Sequence, residues 1–210
     1  GGLAGVPSVF IRLAGCPLRC RWCDTEYAWS EESGRELDIE RIIAETERHD
    51  TDYVVVTGGE PMVQNDLPEL LKRLKSKGRH VTIETAGIVD RKNLACDLMS
   101  ISPKLSNAGL QQAETDDFAS PNVEVLKKLT AEYDYQLKFV IEKPEDIGEV
   151  HEILERIGDI GRDKIFLMPQ ARSRRKFLDK AALVARLCRD TGFRFSERLQ
   201  ILLWDKKRGV

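Results

Sequence analysis

Asp52-Tyr53-Val54-Val55-Val56-Thr57-Gly58-Gly59-Glu60-Pro61 is an apolar, β-branched run of strand length that ends in two glycines and a proline. Leu67, Leu70, Leu71 and Leu74 follow at helical spacing, with Asn65 or Asp66 placed to cap the helix and Gly78 to end it. A second strand pattern then runs from His80 to Glu84. Strand, helix and strand in succession mean a parallel pair, because parallel neighbours need a crossover connection.

The same alternation extends in both directions. Further strands are expected at Ser8 to Leu13, Leu98 to Ser102, Tyr135 to Ile141, Lys164 to Met168 and Arg198 to Trp204. Most are rich in Val, Ile and Phe with apolar residues on both faces, which fits buried parallel strands. Helices are expected after Asp38, with a stripe of Ile39, Ile42, Ile43 and Thr46, and at about 122–132, 145–157 and 176–191. Six such units are fewer than a closed barrel needs, leaving an open, partial barrel or a doubly wound sheet. No internal repeat, low-complexity segment or linker divides the chain, so 1–210 reads as one domain.

Composition excludes several classes. The 210 residues are 41% hydrophobic and 32% charged, which describes a soluble globular protein. With 33 Lys and Arg against 35 Asp and Glu, the formal charge of −2 argues against a broad nucleic-acid surface. Apolar stretches such as 53–56 and 201–204 fall far below the roughly 18 residues of a membrane span, so the expected setting is cytoplasmic. Clustered cysteines in such a chain point to a metal or redox site before a disulfide.

That cluster follows the first strand: Gly15-Cys16-Pro17-Leu18-Arg19-Cys20-Arg21-Trp22-Cys23-Asp24-Thr25, spaced C-x3-C-x2-C. Three thiolates on one short loop can converge on one metal centre. Structural zinc wants four protein ligands, and no fourth Cys or His lies nearby in sequence. Cubane iron–sulfur clusters usually take four cysteines as well; with three, one iron keeps an open position for a ligand. Polar or Gly/Pro elements recur after later strands, at Thr57-Gly58-Gly59-Glu60-Pro61, Glu84-Thr85-Ala86-Gly87, Ser102-Pro103-Lys104 and Met168-Pro169-Gln170. Barrel and open α/β folds place their sites at those strand ends.

By its cysteine spacing the chain is identified as a member of the radical S-adenosylmethionine superfamily. The resemblance implies a partial (β/α)6 barrel of parallel strands and a [4Fe-4S] cluster on Cys16, Cys20 and Cys23. It also implies S-adenosylmethionine chelated to the unique iron, with Trp22 beside the adenine and Gly58-Gly59-Glu60 holding the methionyl amino group. More closely, the chain resembles the 7-carboxy-7-deazaguanine synthase family. The residues that carry this are 5–16, Cys23-Asp24-Thr25, 57–61, 84–87, 102–104, and 202–204 through Arg208-Gly209-Val210.

This resemblance implies conversion of 6-carboxy-5,6,7,8-tetrahydropterin to 7-carboxy-7-deazaguanine with loss of ammonia, in queuosine biosynthesis. Arg12 and Thr57 would contact the pterin, Arg12 through its carboxylate, and the C-terminal Val210 would fold back onto it. Thr25 would ligate Mg2+. Trp22, Cys23, Asp24, Gly58, Gly59, Glu60, Glu84, Ser102, Pro103, Lys104, Met168, Pro169, Gln170 and Ala171 would surround S-adenosylmethionine. A flavodoxin-like reductase and a homodimer are further implications. The family carries Gln-Gly-Glu-Gly upstream of the first strand, and Gly1 would be its last residue. Gln200 stands in the last expected strand where relatives often have histidine.

Other features read more plainly. Arg172-Ser173-Arg174-Arg175-Lys176 reads as a solvated helix start. His49, His80 and His151 read as structural, as does Cys188 at helical spacing from Ala181 and Val184; Cys96 is isolated. Two rivals are a glycyl-radical-enzyme activase, which shares the three cysteines, and a noncatalytic zinc-binding module.

Overall fold

The computed structural model describes residues 1–110 and 121–207. Its strands are β1 (Val9–Leu13), β2 (Tyr53–Gly58), β3 (His80–Thr85), β4 (Leu98–Ile101), β5 (Tyr135–Ile141), β6 (Ile165–Pro169) and β7 (Arg194–Phe195). They form one parallel sheet in the order β1-β2-β3-β4-β5-β6-β7. The helices among the described residues are α1 (Ile39–Thr46), α2 (Leu67–Ser76), α3 (Val123–Glu132), α4 (Asp146–Ile157), α5 (Arg174–Thr191) and α6 (Leu199–Trp204).

This order decides between the two architectures left open by the sequence. A doubly wound sheet reverses its strand order and carries helices on both faces. Here each crossover steps to the next strand, and α1 to α5 contribute Ile43, Leu71, Leu126, Val150 and Val184 to a single core with one set of strand residues. Ile11, Val54, Val56, Ile83, Met99, Ile101, Leu137, Phe139 and Leu167 form that set. Strand side chains alternate in direction, so the intervening residues face the other, concave side. That side is polar at its centre: Arg12, Thr57, Glu84, Ser100, Gln136 and Lys138. The six full strands and a two-residue seventh make an incomplete barrel whose helices lie outside.

Local chemistry sets the helix limits. Asp38 accepts from the Arg41 amide at 2.6 Å to start α1, Asn122 caps α3 through the Val125 amide at 3.2 Å, and Ser173 caps α5 through that of Lys176 at 3.4 Å. Asp66 occupies the position before α2 but makes no side-chain cap. No helix joins β3 to β4. That connection is instead held by Asp97, which accepts from the Val81 amide through Oδ2 and from the Lys75 ammonium through both carboxylate oxygens, at 2.7–2.8 Å.

One element differs in kind from expectation. The run from Arg198 to Trp204 is not a strand: Leu199–Trp204 is α6, and the last strand is Arg194–Phe195. A six-residue apolar run has no readable period, so helix and strand cannot be separated in it by pattern alone. Burial separates them: Ile201 is buried and Leu202 half-buried, whereas Leu203 and Trp204 face solvent. Gln200 is therefore an exposed helical residue and not a strand position. His151 also differs, being exposed at 5.6 Å from the Phe193 ring.

Candidate functional site

The cysteine loop is built by continuing the β1–β2 pairing past its strands. Gly59 N donates to Leu13 O at 2.9 Å and Glu60 N to Gly15 O at 2.8 Å, while Gly15 N and Cys16 N donate to Ala28 O and Trp29 O at 2.9 and 3.0 Å. The two glycines are required by this approach. A Cβ at Gly58 would lie 2.3 Å from Leu13 O, and one at Gly59 2.3 Å from Gly15 O and 2.6 Å from Ala28 O. What the sequence marks as room for a ligand is in part room for the chain's own cysteine loop.

Cys16, Cys20 and Cys23 come together over a small apolar floor of Leu18, Ala86, Ile88 and Ala108. That floor unites the loops after β1, β3 and β4. Burial pushes the Cys16 thiol up to about 11 and Cys20 in the same direction. The charges of Cys20 and Cys23 add to the effect at Cys16, and all three cysteines pack with the same apolar floor. Such thiols become thiolates when a metal takes the proton's place. Among the described residues no three His, Cys, Asp or Glu converge on a single ion. Three thiols on one loop with no fourth beside them are the donor set that a [4Fe-4S] cluster with one open iron would take.

Around the loop, Trp22 Nε1 donates to Asn107 O at 2.9 Å, and the Lys104 ammonium lies 5.9 Å from the Trp22 ring centre. Lys104 Nζ also donates to Ser102 O at 2.7 Å. Of Ser102, Pro103 and Lys104, Lys104 thus reaches the cysteine loop, anchored from behind by Ser102. Thr25 sits beside the last cysteine, its hydroxyl 3.5 Å from Cys23 Sγ. Of 168–171, Met168 is half-buried, while Pro169, Gln170 and Ala171 are buried; Gln170 Oε1 accepts from Lys180 at 2.9 Å. Arg198 ties this stretch to the cysteine loop, donating to Ala171 O and pairing with Asp24. Arg172 pairs with Glu26 at 2.7 Å in the same sense. These two pairs cross from the β1 side of the sheet to the β6 side, between strands that do not pair with each other.

Glu60 is placed differently from a free ligand. It is 1% exposed, with Oε1 accepting from Met62 N at 3.1 Å and Thr85 Oγ1 at 2.7 Å, and Oε2 accepting from Ala86 N at 2.7 Å. Burial raises its pKa against the opposing pull of those donors. Its carboxylate pins the loop after β2 to the loop after β3, and Oε2 keeps one lone pair for another donor.

On the concave face, Arg12 and Thr57 are register partners, as are Glu84 and Ser100, and Ser100 and Gln136. Arg12 is exposed there, with one donor turned to Gly58 O at 3.2 Å. The burial difficulty of an Arg in an apolar strand is met by opening it to the barrel interior. Lys138 reaches across from β5 to Glu84 at 2.8 Å, and Gln136 Nε2 donates to Ser100 Oγ at 2.9 Å. The Lys138 ammonium holds the Glu84 carboxyl below the usual range, against the raising effect of burial, with Arg12 and Thr57 adding to it. Gly1 and Gly2 lie at the same face, bonded to Ser196 Oγ at 3.0 Å and Gln136 Oε1 at 2.8 Å. Glu84 belongs with Arg12 and Thr57 by geometry, rather than with the loop residues. Val210 lies outside the described residues.

Sequence reading missed Lys138, Asn107 and Arg198. Lys138 interrupts the apolar strand Leu137 to Ile141, the same signal that singled out Arg12; Asn107 and Arg198 carry no local signal.

Comparison with known proteins bears on this geometry directly. Residues 10–137 match the Radical SAM superfamily. The chain is 37% identical to the 7-carboxy-7-deazaguanine synthase of Halobacterium salinarum over 98% of its own length and 86% of the relative's. It is 34% identical to that of Rhodopirellula baltica over 100% and 84%. Among solved structures it resembles QueE from Escherichia coli with a TM-score of 0.70 and 26% identity, covering 94% of this chain and 88% of that one. The family match, the parallel sheet and the near full-length similarity lead to one conclusion: the chain belongs to the 7-carboxy-7-deazaguanine synthase family, radical S-adenosylmethionine lyases of queuosine biosynthesis that work with a [4Fe-4S] cluster.

Proposed function

We propose that the polar concave face is the pterin site and the loop end of the barrel the cofactor site, so that 6-carboxy-5,6,7,8-tetrahydropterin is converted between them to 7-carboxy-7-deazaguanine and ammonia. The observation that carries this is the ladder of Arg12, Thr57, Glu84 and Lys138 inside the barrel, beneath three clustered thiols. A planar guanidinium suits bidentate binding of the substrate carboxylate, and Arg12 keeps donors open to the interior. Glu84, held ionised by Lys138, offers acceptors to the amine and amide N–H groups of a pterin ring.

Cys16, Cys20 and Cys23 would hold the cluster. The backbone of Trp22 to Asp24, Gly58 to Glu60, Ser102 to Lys104, and Met168 to Ala171 would surround S-adenosylmethionine. When bound, cluster and cofactor supply the 5′-deoxyadenosyl radical that takes hydrogen from the pterin. The chain's part is to fix the carboxylate at Arg12, keep Glu84 charged, and exclude water and oxygen by closing the loop end with Arg198–Asp24 and Arg172–Glu26. The Thr25 hydroxyl, a hard oxygen donor next to Cys23, would take Mg2+ near the substrate.

The enzyme would act in the cytoplasm as a homodimer fed by a flavodoxin-like reductase. The exposed apolar side chains Leu178, Leu203 and Trp204 support a second copy, and light scattering of the purified protein tests it. The activity itself is tested by anaerobic turnover of the cluster-reconstituted protein with S-adenosylmethionine, dithionite, Mg2+ and 6-carboxytetrahydropterin, read by mass spectrometry. A product lighter than substrate by one ammonia is expected. Release of 5′-deoxyadenosine without that product would refute the pterin reading and favour an activase.

A further inference from the structure

We propose that Asn107 and Asp146 form a positioning pair that sets the orientation of the Trp22 indole and the Cys20–Cys23 turn, and so of the cofactor lying against them. The inference rests on the radical S-adenosylmethionine reading of this site. Asn107 and Asp146 are 8% and 4% exposed, and neither touches the expected substrate region.

The geometry is a relay from scaffold to loop. Cys20 to Cys23 is a turn closed by Cys23 N donating to Cys20 O at 3.0 Å. Both central residues are held by one short segment. Arg21 N donates to Ala108 O at 2.9 Å, Arg21 Nε to Asn107 O at 2.9 Å, and Trp22 Nε1 to Asn107 O at 2.9 Å and Asn107 Oδ1 at 3.3 Å. The opposite end of the same side chain faces the barrel. Asn107 Nδ2 donates to Val140 O at 2.9 Å, on β5, and to Asp146 Oδ2 at 2.7 Å. Asp146 Oδ2 is in turn fixed by Glu142 N at 2.7 Å and Lys143 N at 3.1 Å, where the β5 loop enters α4.

Every polar atom of the Asn107 side chain therefore has a partner, which fixes its amide orientation. Donors face the rigid strand and the carboxylate, and the acceptor faces the indole. The charge on Asp146 strengthens the link. A buried relay of this kind specifies one arrangement, and a slip of about 1 Å at a reacting centre is enough to matter. The fold itself has another hold on this segment: Ser106 N and Oγ donate to Glu149 at 2.8 and 2.6 Å. Loss of the Asn107 side chain should leave the segment attached but free to shift.

The test uses the reconstituted holoenzyme. Asn107→Ala is expected to retain wild-type circular dichroism and four irons per chain, and to bind S-adenosylmethionine about tenfold more weakly. The change that S-adenosylmethionine induces in the electron paramagnetic resonance spectrum of the reduced cluster should be altered as well. Trp22→Phe, which removes the indole donor together with the second ring of the indole, should weaken binding to at least a similar degree, and the double variant no further than Trp22→Phe alone. Asp146→Ala, which takes the carboxylate from the Asn107 amide, should weaken binding about as much as Asn107→Ala. Asp146→Asn, which keeps an acceptor, should recover part of the loss, and wild-type affinity in Asp146→Ala would overturn the pair. Affinity and spectra of Asn107→Ala within twofold of wild type would overturn the pair, as would an unaffected Trp22→Phe if Asn107→Ala failed to fold. Failure of wild type itself to bind cluster and S-adenosylmethionine would instead overturn the superfamily reading.

Discussion

Gly59→Ala isolates the contact that joins the two halves of the cofactor site. A Cβ there would meet Gly15 O at 2.3 Å, Ala28 O at 2.6 Å and the Gly15 carbonyl carbon at 2.6 Å. All three are backbone atoms, so no side chain can swing aside, and the clash falls on the loop that carries Cys16. Overpacking in a well-packed interior costs about 1–3 kcal/mol. Prising Gly15 away also weakens the bond from Glu60 N to Gly15 O, worth about 1 kcal/mol. The sum is about 2–4 kcal/mol, and at about 2–4 °C per kcal/mol for a chain of this size the melting temperature should fall by at least about 4 °C. Cluster occupancy should fall with it, because the displaced atoms are one residue from Cys16. Differential scanning calorimetry and iron analysis after anaerobic reconstitution measure both. Gly148→Ala is the control: it lies inside α4, nothing stands within 4 Å of its added Cβ, and it should stabilise by about 0.5–1 kcal/mol through helix propensity. Wild-type melting and full iron content in Gly59→Ala would refute the view that the glycine is needed for loop approach.

Arg12→Gln should raise KM for the pterin about 10- to 100-fold, the loss of one charge-assisted contact of about 1.5–3 kcal/mol, while uncoupled cleavage of S-adenosylmethionine persists; steady-state kinetics on both products decide it. Lys138→Met should destabilise the protein by about 1–2 kcal/mol at pH 7, discounted because the Glu84 side chain is 37% exposed. The sign with pH follows from Glu84, whose pKa is held low by Lys138. Its contribution is present above the unfolded value of about 4.3 and is lost as pH falls through the lower folded value. The gap between variant and wild type should therefore hold from pH 7 to about pH 5 and narrow as the pH falls below about 4 in urea unfolding of the cluster-free protein, and a gap that stays constant down to about pH 3 would exclude the pair as its source. Asp38→Ala should cost about 1 kcal/mol by removing the α1 cap, with little change in turnover.

The sequence by itself determined the chemistry of the loop and the class of the fold. Three cysteines at C-x3-C-x2-C after a strand, and helical stripes between buried strands, are local patterns, and local patterns survive in one dimension. The first six strands stand where their apolar runs put them, and Asp38, Asn122 and the glycine after α2 mark helix ends through contacts only a few residues long. Tertiary structure decided what depends on distant neighbours. It chose the incomplete barrel over the doubly wound sheet, because strand order is a property of crossovers and not of any strand. It made 199–204 a helix, since so short a run takes its form from the surface it packs on. It also turned Glu60 from an open carboxylate into a buried strut, moved Glu84 to the face of Arg12, and brought Lys138, Asn107 and Arg198 to the site. These residues act through partners 25 to 174 positions away, and a hydrogen bond across that separation leaves no periodicity in the chain from which it could be read.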